Sequence, residues 1–92
     1  MWFPFYRAKK TAVITCCHVI ENQRDVLYVS HDADDGMWQV LCGGTHRQEE
    51  ARMVSMKEIV HIDPTVSELA DMPRGYVAER NSKDTRWVVK IR

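Results

Sequence analysis

The stretch Tyr28-Val29-Ser30-His31-Asp32-Ala33-Asp34-Asp35-Gly36-Met37-Trp38-Gln39-Val40-Leu41-Cys42-Gly43-Gly44-Thr45-His46 decides the fold. Two apolar runs rich in β-forming residues flank an acidic turn that holds Gly36, and a Gly-Gly pair closes the second run, the pattern of a β-hairpin. In the first run, residues 26–30, alternation puts Val26 and Tyr28 on one face and Leu27 and Val29 on the other. Both faces are apolar, as expected of a central strand. In the second run, residues 37–42, Trp38, Val40 and Cys42 share a face, which makes Trp38 the expected core anchor. The acidic turn reads as a solvated loop whose aspartates bond local amides.

Outward from the hairpin, residues 12–15 predict a short buried strand, residues 16–22 a turn or single helical turn, and residues 51–54 a further strand. Ser55 and Glu58 stand at capping-box spacing, so a helix is expected from Met56 to Ile62 with Met56, Ile59, Val60 and Ile62 as its apolar members. Asp63-Pro64 then supplies an N-cap and a first-turn proline for a second helix running to about Asp71, with Val66, Leu69 and Ala70 facing the core. Residues 76–80 and 86–91 predict a terminal hairpin around residues 81–84. The sum is an α+β fold, a mainly antiparallel sheet with a short helical pair packed on one face. Residues 1–10 read as a loose aromatic segment, with a core cap and an edge strand as the alternatives.

A chain of 92 residues has material for one core, so residues 1–92 are expected to form a single domain. Its formal net charge is zero, which argues against general nucleic-acid binding. The charges are unevenly placed: residues 31–71 hold nine Asp and Glu against three Lys and Arg, and the flanks hold four against ten. An acidic middle suits a basic partner. Three cysteines, two of them adjacent, leave an odd thiol however they pair, which points to a reducing compartment and a cytoplasmic protein. No run approaches the roughly 20 apolar residues of a membrane span.

The chemistry-bearing residues fail the common templates. Aligned on Gly36, a calcium loop would need oxygen ligands where His31, Ala33 and Cys42 stand. Cys17 and Arg24 are one residue too far apart for a Cys-x5-Arg phosphate cradle, and the span between them lacks glycine. Cys16, Cys17, His18, Cys42 and His46 are soft ligands, but no Cys-x2-Cys pair marks a zinc site. The expectation is therefore packing thiols, no catalytic residues, no cofactor and no stoichiometric zinc.

From Cys17 onward the order of features resembles a bacterial family classed as immunity protein 33 of polymorphic toxin systems. The matching pieces are Cys17-His18-Val19-Ile20-Glu21, Val26-Leu27-Tyr28-Val29, Asp34-Asp35-Gly36, Trp38-Gln39-Val40-Leu41-Cys42-Gly43, Val54-Ser55-Met56-Lys57-Glu58-Ile59, Ile62-Asp63-Pro64, Pro73-Arg74-Gly75 and Ala78-Glu79-Arg80. Met37 stands where the family has Gly before the Trp, and Gly44-Thr45-His46 where it has an acidic pair. The resemblance implies a non-enzymatic protein that binds and occludes a toxin of its own cell. With the acidic middle it makes Asp32, Asp34, Asp35, Glu49 and Glu50 the expected partner-binding residues. The alternative is a small metal- or ligand-binding domain using Cys42, His46 and the Cys16-Cys17-His18 cluster.

Overall fold

The structure is a computed structural model that describes residues 12–43 and 48–91. The expected aromatic segment 1–10 and His46 lie outside the described residues. The elements are β1 (Ala12–Cys16), α1 (Cys17–Ile20), β2 (Tyr28–His31), β3 (Trp38–Leu41), a 3-10 turn (Gln48–Glu50), β4 (Ala51–Ser55), α2 (Met56–Ile62), a 3-10 helix (Pro64–Leu69), β5 (Tyr76–Glu79) and β6 (Val88–Ile91). The six strands form one sheet in the order β4-β1-β3-β2-β5-β6. Every neighbouring pair is antiparallel except β1 and β3, which run parallel. This is the expected α+β class.

The hairpin closes as its sequence demands. Asp32 N–H donates to Met37 O at 2.8 Å and Gly36 N–H to Asp32 O at 3.0 Å. Gly36 has φ of +72°, a conformation open to glycine without a Cβ penalty. Asp35 Oδ1 accepts from Met37 N–H at 2.9 Å, an Asx bond of the kind expected of this turn.

Register explains which face is buried. One row across the sheet runs Val54, Val13, Trp38, His31, Tyr76 and Ile91, and the next same-face row runs Arg52, Thr15, Val40, Val29, Ala78 and Val89. Val13, Val29, Trp38, Val40 and Ala78 from these rows join Met56, Ile59, Val66 and Leu69 in one core. The helical segments therefore cover this face, and Trp38 is buried, 6% exposed.

The helical pair is less regular than expected. Ser55 Oγ accepts from Glu58 N–H at 3.3 Å, and α2 spans the expected residues. The second segment is 3-10, not α, and stops at Leu69. Its oxygens compete with the helical ladder: Asp63 Oδ1 accepts from Thr65 N–H at 3.0 Å, and Ser67 Oγ–H donates back to Pro64 O at 2.7 Å. A threefold turn still places Val66 and Leu69 together, both buried, while Ala70 is half-buried.

Candidate functional site

The five acidic residues expected to form one surface do not sit together. Val13 pairs with Trp38 and Cys16 with Ala51, so the turn between β2 and β3 lies at the Ala12 end of β1, and Glu49 and Glu50 lie at its Cys16 end. Sequence order suggested one patch because the loop joining these segments is short. The sheet carries the chain from one end to the other between them.

Within the turn the three aspartates differ. Asp32 is half-buried and accepts from Ser30 Oγ at 3.3 Å and Gln39 Nε2 at 2.9 Å. It acts as a clasp across β2 and β3. Asp34 and Asp35 are exposed. The Arg74 guanidinium packs over Gly36 so closely that any Cβ there would collide with it, which sets a positive charge beside the acidic tip.

At the opposite end, the cysteine and histidine residues that sequence spacing left scattered converge. Parallel pairing of β1 with β3 brings the chain after Thr15 beside the chain after Val40. Sγ of Cys16, Sγ of Cys42 and a ring nitrogen of His18 lie within 4.8 Å of one another. Cys16 and Cys42 are buried at 0% and 4% exposure. Burial pushes the Cys16 thiol up, eased by backbone contacts with Val19 and Cys42 and reinforced by the neighbouring Cys42 thiol.

Glu50, read as a partner-binding carboxylate, is turned onto this cluster. Its Oε2 lies 2.9 Å from His18 Nε2 and 4.0 Å from Cys17 Sγ. Thiol and imidazole share one acceptor oxygen, so the carboxylate stands between them; this is not the arrangement of an imidazole that takes a thiol proton. His18 Nδ1 is buried with no hydrogen-bond partner among the described residues. Arg24 Nη1 lies 3.7 Å from Cys42 Sγ.

A further feature escaped the sequence reading. β6 ends the sheet, and although residues 86–91 were expected as a strand, its Val88, Val89 and Ile91 are 62%, 46% and 71% exposed. Alternation of apolar residues predicts a strand but not its place in the sheet order. Comparison with family models, curated proteins and solved structures gives no match to this chain.

Proposed function

We propose that this chain is a small non-enzymatic binding protein that takes an extended segment of a partner protein along the outer edge of β6. The observation that carries the reading is the exposure of three apolar side chains on a four-residue edge strand. An edge of this kind offers main-chain groups for a further strand and apolar side chains for its specificity. Lys90, the single charged residue of β6, leans to Glu79 Oε2 at 3.5 Å and leaves the apolar positions uncovered.

The position of the acidic tip fits the same reading. His31 pairs with Tyr76 and Tyr76 with Ile91, so the turn lies at the Ile91 end of β6, two strand spacings away or about 10 Å. Asp34 and Asp35 would then speed capture of a partner basic at that end, and the apolar edge would hold it. Glu49 and Glu50, at the far end, take no part. The motif resemblance to immunity proteins supports a protein toxin of the same cell as the partner, blocked by occlusion.

The test is co-expression with the product of the gene immediately upstream, scored by growth and co-purification. Wild type should protect and co-purify, and Val88→Lys with Ile91→Lys should fold normally and do neither. Undiminished protection by the double variant would remove β6 from the interface, and an upstream gene whose product is not toxic would remove the immunity role.

A further inference from the structure

We propose that Cys16, His18 and Cys42 form a zinc site, with the two Sγ atoms and His18 Nδ1 as ligands and Glu50 orienting the imidazole. The proposal is independent of the β6 edge, which lies at the other side of the sheet.

Three observations meet at this point. The first is convergence: the donors come from the end of β1, from α1 and from the residue after β3, and the two Sγ atoms and a ring nitrogen of His18 lie within 4.8 Å of one another. Tetrahedral zinc with Zn–S of about 2.3 Å and Zn–N of about 2.0 Å sets its ligand atoms about 3.5–3.8 Å apart.

The second is the state of the imidazole. His18 Nε2 faces Glu50 at 2.9 Å, which fixes the proton on that nitrogen and leaves the Nδ1 lone pair to give. Among the described residues Nδ1 is buried without a partner, a costly arrangement for a polar atom with no ligand. A carboxylate holding the far N–H of a metal-bound histidine is the usual outer shell of a zinc site. The packing reading accounts for two buried thiols but not for this nitrogen.

The third is charge. Two thiolates balance one Zn2+, and the Arg24 guanidinium 3.7 Å from Cys42 Sγ offsets Glu50, so the loaded site is neutral. Two sulfurs and one nitrogen select zinc over calcium or magnesium, which want oxygen. Cys17, His18 and Glu50 also lie within 4.8 Å of one another, but that set offers one thiolate and a carboxylate already paired with His18 Nε2. Three protein ligands among the described residues leave one tetrahedral position for a further ligand. The ion would tie β1 and α1 to the end of β3, a useful clip in a chain with one small core.

The experiment uses the full chain, stripped with chelator under reducing conditions and reloaded with Zn2+ or Co2+. One zinc per chain is expected by elemental analysis. Co2+ should give a thiolate charge-transfer band of two-sulfur intensity and the strong visible bands of a tetrahedral ion, both lost on adding Zn2+. Cys42→Ser should halve the charge-transfer intensity, Glu50→Gln should weaken zinc binding about 10–100-fold, and Cys17→Ser should change neither. Glu50 is partly exposed, so that variant reads affinity without threatening the core. No stoichiometric zinc after reloading wild type, or loss of zinc on Cys17→Ser with retention on Cys42→Ser, would overturn the assignment.

Discussion

Arg80 places Nη2 2.6 Å from Asp63 Oδ2 while its guanidinium lies 4.0 Å over the ring of Trp87, so one side chain joins the end of β5, the junction of the two helical segments and the approach to β6. Nε donates to Val26 O at 2.9 Å and Nη1 to Thr65 Oγ1 at 3.0 Å. The Arg80 side chain is 1% exposed, and each nitrogen of its fork meets an oxygen, one of them on the Asp63 carboxylate. Arg80→Ala strips the pairing from a carboxylate that is itself only 16% exposed and should cost about 3–5 kcal/mol. Arg80→Lys should recover little of this, since an ammonium cannot reproduce the planar fork. Urea denaturation checks both; a loss below about 1 kcal/mol for Arg80→Ala would show that the network does not hold the helical junction.

Trp38 stacks on His31 with ring centroids 4.0 Å apart and planes inclined by 13°. His31 Nδ1–H donates to Met72 O at 2.8 Å, which pins the segment before β5 against the hairpin. Trp38→Ala should therefore open a cavity beneath the helical layer and cost about 3–5 kcal/mol. His31→Ala, which loses the stack and one hydrogen bond, should cost less, about 1–2 kcal/mol. Equal losses would mean that the ring pair, not the burial of Trp38, dominates.

The cysteines should separate by reactivity in the metal-free protein. Burial raises the Cys16 thiol, so the thiolate that attacks an alkylating agent is scarcer there at neutral pH, and Cys16 is also closed off from solvent. Cys17 is half-buried on α1. Mass-spectrometric mapping of iodoacetamide adducts should show Cys17 modified first. Prior modification of Cys16 would mean that the end of β1 opens readily.

Asp34→Asn with Asp35→Asn should leave folding unchanged and slow partner association at low salt, with the difference fading at moderate salt. Asp32→Asn should instead loosen the β2–β3 clasp and lower stability by about 0.5–1.5 kcal/mol, because its carboxylate holds Ser30 and Gln39. Stopped-flow association and thermal melts distinguish the two effects. A loss of stability from the first pair would mean that the tip is structural.

Local pattern made much of this fold legible. Alternation gave the hairpin and the burial of Trp38, and the Ser55 hydroxyl and Asp63-Pro64 marked both helical starts. The sequence could name Cys42 and the Cys16-Cys17-His18 cluster as one alternative ligand set, but whether such residues meet depends on pairing between distant segments. Cys16 meets Cys42 through the parallel β1–β3 contact, and no spacing rule counts across the intervening β2. Glu50 reaches His18 through the β1–β4 ladder, which turned an expected surface carboxylate into a partner of the thiol–imidazole cluster. The acidic residues are divided for the same reason, Asp32, Asp34 and Asp35 lying at one end of the sheet and Glu49 and Glu50 at the other.

Amide hydrogen exchange of the chain with and without the upstream gene's product tests the binding account most directly. Residues 88–91, now on the outer edge, should exchange readily alone and become protected in the complex, with slower exchange confined to β6 and the neighbouring β5. Unchanged exchange at residues 88–91 in a complex that forms and protects would contradict capture at this edge.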